Sequence, residues 1–227
     1  MLRQKVDISQ GDMMRSYIAC QKGSFLFYTT TVSFALLTFL VATDNSFVIS
    51  LDMSISEFSV SHYSSSVYRI MMHVTKFGGL YFLLPLSALS AAIAHMGKRD
   101  DLGGIILCSL IFSAALSYIV KVMVERQRPF LFLASATGYS YPSGHMAQTC
   151  AFLFCMIYIS YKCINNIHIS FFVIALSVAF MAIIGFSRVY LHVHYISDIF
   201  GGTLLASMVC LTVMYLFGRM GSCGFRT

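Results

Sequence analysis

Three short polar blocks interrupt an otherwise apolar chain: residues 121–129 (KVMVERQRP), 142–145 (PSGH) and 187–198 (SRVYLHVHYISD). In the third, His194 and Asp198 are four residues apart, so one helical turn sets them on the same face. A carboxylate beside an imidazole fixes its tautomer and leaves the other ring nitrogen free to attack. Arg188 stands upstream of this pair, and its planar guanidinium suits two-point binding of a phosphate. A second reading of this block is an interfacial arginine beside a structural His–Asp pair. Block 142–145 reads as the start of a helix. Pro142 sets the turn, Ser143 caps it, and Gly144 lets the backbone approach a ligand closely. Free N–H groups and the helix dipole attract an anion there. His145, in that first turn, is placed to protonate a departing alkoxide, although the same tetrapeptide would also serve as a plain capped start. Lys121 and Arg128 can converge on one phosphate, or act separately as interface anchors. Taken together, the blocks amount to an anion cradle with a nucleophile.

The elements that must position these groups are membrane helices. The chain has 227 residues, 58% hydrophobic and 11% charged, whereas soluble domains carry about 25% charged residues. A span needs ~20 mainly apolar residues. Six stretches meet or approach this, at roughly 25–43, 79–96, 103–124, 146–161, 169–188 and 199–218. The expected architecture is an all-α integral membrane protein, a six-span bundle formed by one domain over residues 1–227. The first stretch reads as a retained anchor. Its polar leader and apolar core are both long for a signal peptide, and no small-residue cleavage site follows cleanly. Pro85 is expected to kink the second span.

Direction follows from the basic residues. Nine (Arg3, Lys5, Arg15, Lys22, Lys98, Arg99, Lys162, Arg219, Arg226) fall on one side of the spans and six on the other, four of those six within the polar blocks. Both termini are therefore expected in the cytoplasm. All three blocks then share the outer, periplasmic rim of what reads as a bacterial inner-membrane protein. Residues 44–78 are either an interfacial amphipathic helix over the site or an ordered loop packed on the bundle. Gly201, Gly202 and Ala206 permit close helix packing, expected within the chain rather than at a dimer seam. The seven scattered Cys read as small apolar residues, not as a disulfide or zinc framework. The +6 formal charge does not point to nucleic acid, because no basic run is interleaved with aromatics.

The ordered set Lys121…Arg128-Pro129, Pro142-Ser143-Gly144-His145 and Ser187-Arg188…His194…Asp198 resembles the signature of the type 2 phosphatidic acid phosphatase superfamily, K-x6-R-P, P-S-G-H and S-R-x5-H-x3-D. That superfamily is related to the vanadium-dependent haloperoxidases. Every fixed position and both internal spacings match, over the third to sixth spans. The resemblance implies that His194 is the nucleophile, forming a phosphohistidine, that Asp198 orients it, and that His145 is the general acid. Lys121, Arg128, Arg188, Ser143 and the Gly144 amide would hold the phosphate oxygens. Outside the signature, His192 is expected at the rim, and Arg126 as a supporting charge paired with Glu125.

Two-metal phosphatases need carboxylate clusters. Of the nine acids only Glu125 and Asp198 lie in the polar blocks, so metal-independent chemistry without a cofactor is expected. The implied function is a lipid phosphatase acting at the bilayer on phosphatidylglycerol phosphate, phosphatidic acid, a polyprenyl diphosphate or a lipid A phosphate. No obligate protein partner is expected. A lipid phosphotransferase would use the same phosphohistidine. A non-catalytic transporter or scaffold is disfavoured by the intact His145/His194/Asp198 set and by the lack of inverted repeats or paired broken helices.

Overall fold

Apolar stretches of membrane length become helices because only a helix satisfies its own backbone in lipid. The computed structural model describes residues 23–130 and 136–223. Arg3, Lys5, Arg15, Lys22 and Arg226, which carry part of the expected charge bias, lie outside the described residues with the polar leader, as does the side chain of Arg219. Among the described residues there are eight α-helices and no strand. They are α1 (Gly23–Ala42), α2 (Ser46–Ser61), α3 (Ser65–Val74), α4 (Leu80–Met96), α5 (Asp100–Val124), α6 (Gly144–Cys163), α7 (Ile167–Tyr190) and α8 (Ile196–Cys223).

Five helices, α1 and α5–α8, are long and apolar enough to cross a membrane. Helix α4, with 17 residues, passes the same test only together with residues 65–78, which meet it at a bend of 44°. The count is therefore five, or six with that bent pair as one span. The break falls at Gly79, while α4 runs on through Pro85. This corrects one expectation: residues 44–78 are neither a loop nor one helix. They form α2, α3 and a 3-10 turn (Thr75–Gly78), packed on α7, with α2 also touching α8. The bent pair is a single broken helix, not the matched pair that transporters use.

Helices α5, α6 and α8 pack mutually, α4 lies on α5, and α7 lies on α6. Short side chains let these backbones approach, as membrane helices require. Ala147, Cys150 and Ala151 of α6 are fully buried beside Leu205 and Ala206 of α8. A Cβ at Gly201 would come within 2.5 Å of the Tyr141 ring, and one at Gly202 within 2.5 Å of the Ser143 carbonyl. The small residues of α8 thus seat the loop and helix start that carry the second motif. Phe25, Tyr28, Val32 and Phe39 of α1 and Phe171, Phe172 and Leu176 of α7 are exposed, which lipid tolerates and water would not. The end of α5, the start of α6, the end of α7 and the start of α8 lie at one end of the bundle, where the longer α5–α6 connection is bonded to the short α7–α8 turn and the start of α8. Asp101 pairs with Arg99 and Lys162 at the opposite end.

Candidate active site

The turn between α7 and α8 builds the centre. The chain must reverse within residues 191–195, and His192 takes a left-handed conformation (φ 53°) to do so. His194 then points inward, 3% exposed, with Nδ1 3.2 Å from Asp198 Oδ2. Asp198 opens the first turn of α8 and is fully buried. Its Oδ2 also accepts from the Tyr195 amide at 2.8 Å and from the Ser140 hydroxyl. A carboxylate so constrained binds the Nδ1–H tautomer and leaves Nε2 of His194 unprotonated.

At the start of α6, Ser143 is the N-cap and accepts from the Met146 amide at 3.4 Å, while its own amide donates to the Asp198 carbonyl at 2.9 Å. That second bond ties the two motif helices together. The ring of His145 stands against Gly79, with Nε2 3.3 Å from where a Cβ would sit. His145 makes no hydrogen bond to another described residue. It lies near enough to Arg188, His194, Lys121 and Arg128 to feel their charge.

Three cations surround this pair, in different states of engagement. Arg188 is 6% exposed and donates through Nη1 to Thr75 Oγ1 at 2.7 Å, but its buried Nε has no acceptor. Lys121 donates to the Tyr139 and Ser140 carbonyls at 2.8 and 2.9 Å. Arg128 donates through Nε to Gly138, through Nη1 to Val193 at 2.6 Å, and through Nη2 to Thr137 and Tyr139. The two cations expected simply to reach for a phosphate also clamp the loop before α6. Burial pulls the Arg128 guanidinium below its usual range, partly offset by Asp198.

Two expectations need correction. Glu125 does not pair with Arg126. It ends α5 in a left-handed turn (φ 52°) and accepts from the Tyr139 hydroxyl at 2.9 Å. That turn sends Arg126 inward, where it reaches Asp52 Oδ2 at 2.5 Å and Asp198 Oδ1 at 2.8 Å. His192 is no rim residue either, being 2% exposed with Nδ1 3.2 Å from Ser56 Oγ of α2. Sequence reading also missed Asp52, Thr75 and Ser140. Only Asp52 left a signal, as a carboxylate inside a segment with few charges.

Burial pushes the His194 imidazole down to about 3, opposed by Asp198 and reinforced by Arg188 and Lys121. An unfolded histidine titrates near 6.5. As pH falls from about 6.5 toward 3, the unfolded chain gains a proton that the folded chain refuses. Stability from this group is complete above that window and declines through it. Thermal unfolding in detergent should show this slope, and His194→Gln should flatten it.

A family model described as the PAP2 superfamily matches residues 102–221, more than half of the chain. The chain belongs to the PAP2 superfamily. All three signature blocks lie within the matched region, whereas Asp52 and Thr75 lie before it. Phosphatidylglycerophosphatase B of Bacillus subtilis (strain 168) is 28% identical over 173 residues, covering 72% of this chain and 82% of that protein. An undecaprenyl-diphosphatase of Sulfolobus acidocaldarius is 26% identical over 147 residues, 62% of this chain and 66% of that one. The crystal structure of a transmembrane PAP2 type phosphatidylglycerolphosphate phosphatase from Bacillus subtilis superposes with a TM-score of 0.71 at 26% identity, covering 86% of this chain and 98% of that one. Aquifex aeolicus LpxE shares the fold, with a TM-score of 0.59 at 19% identity over 73% of this chain and 95% of that one. This PAP2 chain is thus a multi-pass helical membrane protein.

Proposed function

We propose that this chain is a membrane lipid phosphatase that works through a phosphohistidine on His194. The observation that carries the reading is a charge imbalance. Among the described residues, Lys121, Arg126, Arg128 and Arg188 face two carboxylates, Asp52 and Asp198, both held by Arg126. The excess of two positive charges equals the charge of a phosphate monoester dianion. Positive charge largely withdrawn from water without matching negative charge is costly, so the site favours such an anion. The names of the relatives agree with this substrate class.

In the proposed reaction, Nε2 of His194 attacks phosphorus and the P–O bond to the lipid breaks. His145 gives its proton to the departing oxygen, then takes one from the water that attacks next. The P–N bond breaks and phosphate leaves. Arg188 offers its free donors to the phosphoryl oxygens, Lys121 and Arg128 contribute the donors the loop leaves unused, and the Gly144 amide lies at the helix start with the Ser143 cap. Among the described residues no three His, Cys, Asp or Glu side chains cluster as metal ligands would. This donor set supports stabilisation by cations alone.

The leaving group departs on the side of His145, and the space there has a character of its own. A cavity of about 750 Å³ runs from His145, Gly144 and Gln148 to His73 and Lys76, floored by Phe77, Leu80, Tyr81 and Phe82. Its aromatic wall suits alkyl chains, and its two basic groups suit a second negative charge next to the bond that breaks. Polyprenyl diphosphates and phosphatidylglycerol phosphate carry such a charge in the leaving group, whereas phosphatidic acid does not. The preferred topology is six spans with residues 65–96 as one bent span, both termini cytoplasmic and the site at the outer rim, in a single domain. Excess Lys and Arg on the terminal side support it.

The test is a phosphate-release panel over the four lipid classes in detergent, with and without EDTA. Release from the diphosphate and phosphatidylglycerol phosphate should exceed release from phosphatidic acid by about tenfold, as one charge contact of ~1.4 kcal/mol implies, and be insensitive to EDTA. No release from any member would refute the phosphatase reading. Label appearing in a second lipid would make the chain a phosphotransferase.

A further inference from the structure

We propose that Arg126 and Asp52 are a positioning pair that orients Asp198 and, through it, holds His194 ready to attack. The inference rests on His194 being the nucleophile, and it assigns a role to two residues outside the signature. Asp52 stands on α2 and is 1% exposed. It accepts from Arg126 Nη2 at 2.5 Å, from the Ser197 amide at 3.0 Å and from the Ser197 hydroxyl at 2.6 Å. The other arm of Arg126 donates to Asp198 Oδ1 at 2.8 Å and to Ser197 Oγ at 2.6 Å. Its guanidinium also lies 4.3 Å from the centre of the Tyr195 ring, a stacking contact. Carboxylate, guanidinium, carboxylate and imidazole thus form one line from α2 to the centre.

Two properties point beyond packing. A buried ion pair is poor stabilisation, often no better than apolar side chains of equal volume, yet here one cation is shared by two buried carboxylates. Arg126 also binds the oxygen of Asp198 that His194 does not use. It thereby turns Oδ2 toward Nδ1 and offsets the negative charge that would otherwise hold a proton on the imidazole. Supporting partners of a functional histidine act in this way. The charged and titratable groups around His194 are Asp198 from α8, Arg188 from α7, Lys121 from α5 and His145 from α6, with Arg128 near His145 and with Arg126 and then Asp52 behind Asp198. From α3, Met71 and Met72 pack beside Leu191 and Val193. Of these charged groups besides His194 itself, Arg126 is the one bonded to the Asp198 carboxylate, which Ser140 and Tyr195 also hold through neutral donors.

The experiment uses the full chain in detergent with two readouts. One is hydrolysis of farnesyl diphosphate. The other is the titration midpoint of His194 from imidazole ¹⁵N shifts, assigned by its loss in His194→Gln. Arg126→Gln should raise the midpoint by about one unit or more, since an opposite charge is released onto the imidazole. It should lower kcat about a hundredfold with KM changed less than about threefold, the pattern of an interaction felt in the transition state. Asp52→Asn, which keeps the shape but frees Arg126, should lower kcat about tenfold. The double variant Asp52→Asn/Arg126→Gln removes both buried charges and should unfold at a temperature near wild type. Its kcat should stay low and its midpoint stay above wild type. A double variant with wild-type kcat and an unmoved midpoint would show that the network only packs the fold, and the proposal falls. If wild-type protein hydrolyses no lipid phosphate, the phosphatase reading fails, while the midpoint still decides whether Arg126 and Asp52 govern His194.

Discussion

His194→Ala is expected to lose phosphate release by about 10³-fold or more, the scale seen when a nucleophile is removed, while the protein still inserts in the membrane. The geometry gives both halves of this expectation. His194 offers one free ring nitrogen to the site, and among the described residues no other imidazole there is held by a carboxylate. Asp198 keeps its bonds to Arg126, Ser140 and Tyr195 when the ring is gone, so the turn retains its anchors. Wild-type protein mixed with labelled substrate and quenched in alkali should carry phosphate on histidine, and His194→Ala should carry none. Near-normal turnover by the purified variant would mean that another group attacks.

Arg188→Lys should lower kcat/KM by about a hundredfold, the scale of a lost oxyanion donor. The charge survives the change but the fork does not. Arg188 spends Nη1 on Thr75 and holds Nε buried and empty. It alone among the surrounding cations keeps most of its donors free, because Lys121 and Arg128 give theirs to loop carbonyls. A lysine head can serve Thr75 or a phosphoryl oxygen, but it cannot hold two oxygens in a plane. Thr75→Val, which removes the anchor and leaves the fork, should lower kcat/KM less than Arg188→Lys does. If Arg188→Lys keeps activity within about threefold, phosphate is held by another part of the cradle.

Much of the site was legible from spacing because a membrane constrains so strongly. Each signature block sits at the end of an apolar stretch. Successive spans run antiparallel and bring alternate ends to one face of the membrane, so the end of α5 and the start of α6 had to share a side with the end of α7 and the start of α8. The interval of four between His194 and Asp198 needed only one helical turn. Asp52 was hidden for the opposite reason. Its partner Arg126 is 74 positions away, and no local period relates them. The direction of Arg126 turned on a left-handed residue at Glu125, which adjacency in the chain suggested as its partner. The second span is expected at 79–96 and α4 runs over Leu80–Met96, whereas the helices of residues 44–78 left no clear signal because their few charges and mixed polarity give no single period.

From the chain's letters alone came the membrane setting, the helical class, the PAP2 signature and the residues that should meet around one phosphate. These are local properties, since apolar length and motif spacing do not depend on distant partners. Folding decided which donors remain free, that Arg126 bridges two carboxylates, and that α2 and α3 close over the α7–α8 turn. Those outcomes depend on how far charges lie from one another in space once water is excluded. Only the packed bundle sets that distance.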